Sequence, residues 1–133
     1  MCTKNPFFFY LHKFSVLPDT LKIRVEPKIL TVGTEATLFC DSSSSNPAAK
    51  LTWWKDGIPV EGLGDANQAG LWGGMISSTT LKINMTQDMN DVKYTCQGTN
   101  EALQRSVNEV VSLQVLCKYL LLLTLICVYY NID

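Results

Sequence analysis

A run of four serines, Ser42–Ser45, a single histidine, His12, five cysteines and scattered carboxylates are the side chains of this chain that could do covalent or acid–base chemistry. A serine nucleophile needs a base within hydrogen-bond reach. His12 lies near the N-terminus, away from the strand-rich region, so no serine–histidine pair can be assembled and the serines are expected to form a flexible loop. Asp56, Glu61, Asp65, Asp88, Asp91, Glu101 and Glu109 fall almost entirely in turns or on outer faces. A general acid needs a desolvated or partnered carboxyl in a cleft, and the pattern gives no sign of one. Gly70, Gly73 and Gly74 in "GLWGGM" could suggest a phosphate cradle, but no lysine-serine or lysine-threonine pair follows and no helix starts there. Loop punctuation around Trp72, or an edge bulge, fits them better. The expectation is a chain that is not an enzyme and requires no cofactor.

The cysteines are Cys2, Cys40, Cys96, Cys117 and Cys127, an odd number that forbids complete internal pairing. With no CxxC and one histidine, a structural zinc site of the usual spacing cannot be written. Cys40 and Cys96 stand apart because both lie in strand-like segments. A bridge between them would close a long loop, stabilising by roughly 4 kcal/mol on chain-entropy grounds, and would persist only in an oxidising compartment. Two buried thiols are the other reading of that spacing.

The elements that must position these residues follow from period-two spacing. "LKIRVEP" sets Leu21, Ile23 and Val25 against Lys22, Arg24 and Glu26, and ends at a proline. "ILTVGTEATLFC" reads as a short strand, a turn at Gly33, then Ala36, Leu38 and Cys40 on one face. "DSSSSNPAA" is loop by composition, and "LTWWK" a strand closed by a "DG" turn. "PVEGLGDANQAGLWGG" shows no clear period and is expected to be loop with one or two short edge strands. Leu81, Ile83 and Met85, then Val92, Tyr94 and Cys96, then Val111, Leu113 and Val115 mark three further inward faces. No segment sustains a 3.6-residue apolar period, so the spacing predicts one all-β sandwich or barrel. Hydrophobic residues make up 47% and charged residues 17% of 133, which supports a packed core. Lysine plus arginine number 11 against 12 acidic residues, and no basic stripe is visible, which excludes the usual footprint of a nucleic-acid binder.

Both ends depart from this pattern. In residues 1–20, the apolar run Phe7–Leu11 is cut by His12 and Lys13, giving an imperfect secretory signal or sequence foreign to the mature domain. The tail 117–133 has an uninterrupted apolar run from Tyr119 to Tyr130, short of the roughly 20 residues of a membrane-spanning helix. A truncated anchor, a lipid-anchor tail or a translation artefact is expected there. The organisation read from the sequence is therefore 1–20, 21–116 and 117–133.

Cys40, Trp53, Tyr94 and Cys96, in that order among period-two strands, resemble an immunoglobulin domain. In that family a strand-C tryptophan packs on a disulfide joining strands B and F, and a tyrosine stands two residues before the second cysteine. "LTWWKDG" and the stretch from "GLWGG" to "TCQGTNEALQRSV" are similar to an I-set or C2-like immunoglobulin domain of nephrin-type cell-adhesion receptors, over about residues 22–116. One departure stands out. The family often has aspartate six positions before the second cysteine, where this chain has Asn90 with Asp91 beside it, which puts a buried aspartate–arginine clasp in doubt.

The resemblance implies an immunoglobulin-like β-sandwich of two antiparallel sheets with a Cys40–Cys96 disulfide and a core of Trp53 and Tyr94. It implies, too, a protein-binding module of a cell-surface adhesion receptor on the extracellular side of the plasma membrane. The partner would be another immunoglobulin-superfamily protein. A spacer domain, or a secreted or immune-type protein, are the alternatives. Alternation puts Trp53 on the same face as Leu51 and turns Trp54 outward. There Trp54 is joined by Thr52, by Lys93, Thr95 and Gln97, and by Val110, Ser112 and Gln114, as a ring amid small polar side chains at an interface hot spot. Asn84-Met85-Thr86 is a glycosylation sequon, with Asn84 facing out.

Overall fold

In the computed structural model, which describes residues 15–117 and the backbone of Leu125–Ile126, the period-two segments become strands. They are β1 (Leu21–Glu26), β2 (Leu30–Thr31), β3 (Glu35–Ser42), β4 (Lys50–Lys55), β5 (Ile58–Val60), β6 (Leu63–Ala69), β7 (Met75–Asn84), β8 (Lys93–Asn100), β9 (Arg105–Ser112), β10 (Val115–Cys117) and β11 (Leu125–Ile126). One four-stranded sheet runs β1-β3-β7-β6 and another β5-β4-β8-β9. All pairings within these two sheets are antiparallel. A third, small sheet joins β10 antiparallel to β11 and parallel to β2. Phe7–Leu11, His12, Cys2, Cys127 and most of the tail lie outside the described residues. No helix among the described residues is long and apolar enough to cross a membrane.

The faces follow the alternation. Ala36, Leu38, Cys40 and Ser42 of β3 point between the sheets, as do Ser77, Thr79, Leu81 and Ile83 of β7. Opposite them stand Leu51 and Trp53 of β4 and Tyr94, Cys96, Gly98 and Asn100 of β8. The β4–β5 hairpin closes over two residues, Asp56 at φ 47° and Gly57 at φ 80°. Both left-handed positions suit the primed turn that matches strand twist, which explains the aspartate-glycine pair.

The segment expected to be mostly loop is more ordered than its composition suggests. It contains β5 and the seven-residue β6, paired along β7 with a register shift between Leu63 and Asp65. Gly64 sits at that shift with φ 60°, so the edge bulge lies there and not at "GLWGG". All seven β6 residues are exposed. With no buried side chain along its length, β6 lacks the apolar alternation by which a strand is read.

Candidate functional site

The centre of the sandwich holds the residues singled out for the core. Cys40 and Cys96 are bonded, with Cα atoms 6.5 Å apart across the two sheets and 56 residues apart in sequence. Trp53 lies directly opposite Cys96 in the β4–β8 register and is 1% exposed. Tyr94 is buried one inward position along the same strand. Burial pushes its phenol above the usual tyrosine range, with the charges of Asp56 and Asp88 adding to the effect.

The outward face of the β5-β4-β8-β9 sheet is built by register. Pro59, Trp54, Thr95 and Val110 are consecutive partners across four strands. Thr52, Gln97 and Asn108 form the row on one side, and Gln97 Nε2 reaches Ser106 Oγ at 3.4 Å. Lys93 stands opposite Ser112 on the other side. These rows carry no carboxylate, so the strip is close to neutral around one large ring. Trp54 is only partly exposed, and its Nε1 is shut off from water with no hydrogen-bond partner among the described residues. Val110 is 53% exposed. On the opposite sheet the outward aromatic, Phe39, is already capped by the Arg24 guanidinium 4.4 Å from its centroid.

The serine run is not a flexible loop, contrary to the composition-based expectation. Each hydroxyl is hydrogen-bonded, and Ser43 and Ser45 both hold the segment 16–20. Ser42 Oγ accepts from the Ser77 amide at 2.9 Å, and Ser43 Oγ from the amides of Asp19 and Thr20 at 2.8 and 3.2 Å. Ser44 Oγ donates to Leu71 O at 2.9 Å, and Ser45 Oγ lies 2.9 Å from Val16 O and 2.7 Å from Pro47 O. The knot is completed by Asn100, which is fully buried. Its Nδ2 donates to Val16 O and Asn46 O at 2.9 and 3.1 Å, and its Oδ1 accepts from the amides of Ala102 and Leu103. Nothing in the sequence reading flagged Asn100. Its in-phase position two and four residues after Gly98 and Cys96 was the available signal.

Beside this knot the turn 70–74 presents Trp72, the most exposed of the three tryptophans at 98%. Trp72 sits at φ 56°, ψ 34°, in the left-handed region. The Gly74 amide donates to Leu71 O at 2.9 Å and the Gly70 amide to Gly74 O at 2.8 Å. A side chain at Gly70 would meet Ser44 Oγ at 2.6 Å, and one at Gly74 would also run into that hydroxyl. The glycines therefore let the turn close on Ser44 while the indole is held in water. Among the described residues no group of three or more histidine, cysteine or carboxylate side chains is placed to hold a metal ion.

This geometry has relatives. Residues 21–107 match the CD80-like C2-set immunoglobulin domain. The chain belongs to that family. Rat nephrin is 28% identical over 99 residues, covering 74% of this chain and 8% of nephrin, and chicken basigin is 30% identical over 110 residues, covering 75% and 27%. The chain thus spans well under a third of the length of either relative. Its fold is shared with the ectodomain of mouse nectin-like molecule 4, with a TM-score of 0.70 and 23% identity over 77% of this chain and 35% of that one. Bovine butyrophilin gives a TM-score of 0.64 at 17% identity, over 74% of this chain and 44% of that one. The molecule is an immunoglobulin domain related to those of adhesion receptors.

Within the immunoglobulin frame, the departure at Asn90 has a structural outcome. Asn90 Oδ1 accepts from the Val115 amide at 2.9 Å, and Asp91, at φ 62°, accepts from Gln114 Nε2 at 2.6 Å. This pair of residues pins the β9–β10 connection. No ion pair links Asp91 to an arginine among the described residues. Asn84 is exposed on the outward side of β7, on the sheet opposite Trp54. The sequon's Thr86 hydroxyl donates to Asp88 Oδ1, and that bond holds the Asp88 carboxyl below its usual range.

Proposed function

We propose that this immunoglobulin domain, spanning residues 21–116, is a protein-binding module of a cell-surface adhesion receptor, exposed outside the plasma membrane and recognising another immunoglobulin-superfamily protein. The observation that carries the reading is the register row Pro59–Trp54–Thr95–Val110 across four strands of one sheet. A protein interface is depleted of charge at its centre and anchored by aromatic residues in small, polar surroundings. That row and its neighbours Thr52, Gln97 and Lys93 meet the description, while Phe39 on the other sheet is already covered by Arg24. A glycan on Asn84 would occupy the β1-β3-β7-β6 face and leave the Trp54 face clear. The kinship with nephrin and basigin supports the same reading.

Cells or beads displaying the domain test it. Trp54→Ala and Thr95→Glu abolish aggregation while leaving the folded spectrum intact, and Trp72→Ser leaves aggregation unchanged. Unaltered aggregation of the two face variants, with intact folding, sinks the binding reading in favour of a spacer. Loss with Trp72→Ser alone moves recognition to the loop end. A mass shift on enzymatic deglycosylation, absent in Asn84→Gln, checks the glycan.

A further inference from the structure

β5 pairs only with Trp53, Trp54 and Lys55, so the first half of β4, Lys50 to Thr52, is an open edge of its sheet. Behind that edge lies a cavity of about 260 Å³ whose walls include Ala48, Ala49, Ser77, Asp65, Asn67 and Glu101. Its apolar wall is made of Ala48, Ala49 and Leu51. In the β6–β7 register Asn67 lies opposite Ser77 and Asp65 opposite Thr79, so all four share the inward face. Ser77 is 3% exposed, and its Oγ has no hydrogen-bond partner among the described residues. A buried hydroxyl left unpaired is costly unless something enters to meet it.

The charge balance selects what enters. Lys50 is itself part of the lining, and its Nζ lies 3.9 Å from Glu101 Oε1, so this cation and this carboxylate offset each other. No ion pair reaches Asp65 among the described residues. The site therefore offers one uncompensated carboxylate, an amide and a free hydroxyl acceptor behind an apolar wall. At about 260 Å³ it falls just below the roughly 300–1,000 Å³ of sites for drug-sized molecules, so its guest is the size of one side chain. We propose that this cavity binds the cationic end of a short alkyl chain, an ammonium or guanidinium on a few methylenes. The methylenes would lie on Ala48 and Ala49 and the cation between Asp65 and Ser77 Oγ. A lysine or arginine side chain of a protein partner and a free alkylamine share that chemistry. The site is separate from the Trp54 face and does not depend on its role.

Amide-resolved NMR of the whole chain, titrated with n-butylammonium, n-butylguanidinium and n-butanol, tests it. Saturable shifts at Ala49, Asn67 and Ser77 are expected with the two cations and not with the alcohol. Asp65→Asn weakens the cations about fivefold, the loss of one exposed charge contact, and the cavity-filling Ala49→Leu abolishes the shifts. If Ala49→Leu fails to fold, Ser77→Val fills the cavity from the other wall. Trp54→Ala leaves the titration unchanged, which separates this site from the aggregation surface. A capped Gly-Lys-Gly peptide that saturates at lower concentration than n-butylammonium assigns the guest to a protein side chain, and the reverse order assigns it to a free amine. Equal shifts with n-butanol, shifts that never saturate, or binding untouched by Asp65→Asn overturn the proposal.

Discussion

Toward the end where β2 meets β10, the side chains between the sheets are Ala36, Leu38, Leu81, Ile83, Met85, Tyr94, Leu113 and Val115. Toward the end where Val16 meets Asn46, polar side chains, Ser42, Ser45, Ser77, Thr79 and Asn100, are interleaved with Leu21, Ala49 and Leu51. The disulfide and Trp53 lie between. One end is held by area removed from water, which is non-directional and fills space. The other is held by directional hydrogen bonds, which fix three loops but leave a cavity. The loops at that end are thus anchored by hydrogen bonds over a core in which polar side chains interrupt the apolar ones.

Removing the disulfide that joins the sheets between the two ends should cost most. Replacing Cys40 and Cys96 together with alanine lowers stability by about 4 kcal/mol, read by chemical denaturation of the protein against the double variant. Next, Leu38→Ala at the apolar end costs roughly 3 kcal/mol, and amide exchange rises across both sheets. Asn100→Ala at the polar end costs roughly 2 kcal/mol, with faster exchange confined to residues near Val16, Asn46, Ala102 and Leu103. Global acceleration in Asn100→Ala would erase the distinction between the ends. Tyr94 gives a smaller, pH-dependent effect at the apolar end. Its folded pKa is raised, chiefly by burial. The unfolded chain therefore releases the proton first, and the stability it contributes is whole below about 10 and declines as pH rises through the folded value. Alkaline denaturation midpoints of Tyr94→Phe should lack that part of the slope. The last change has the opposite sign: Ser77→Ala removes a buried hydroxyl that has no partner among the described residues and should raise stability by about 1 kcal/mol.

The same division decided what could be read from the chain. At the apolar end every inward residue had its partner two positions away, so Leu81, Ile83 and Met85 declared their face, and Cys40, Trp53, Tyr94 and Cys96 declared the fold. At the polar end serine and asparagine are the residues of loops and of buried hydrogen-bond knots alike. Composition cannot separate the two, because the difference lies in which distant carbonyl each hydroxyl meets. Ser45 and Val16 are an example. For β6 the signal was absent for another reason, since a strand with no buried side chain has no pressure to alternate. The outward row was legible in its members, Thr52, Trp54, Thr95 and Gln97. Its extension to Pro59 needed the hairpin register, and the partial cover over Trp54 follows only from the three-dimensional packing.

The placing of the three indoles has an optical consequence. Trp53 rests beside a disulfide, which quenches excited indole on contact, whereas Trp72 stands in open solvent. The native molecule's emission should therefore be dominated by a long-wavelength, water-relaxed component from Trp72. Unfolding should brighten the protein as Trp53 parts from the sulfurs. The molecule carries its own lamp for the integrity of its centre, and Trp72→Ser is the substitution that turns down the background.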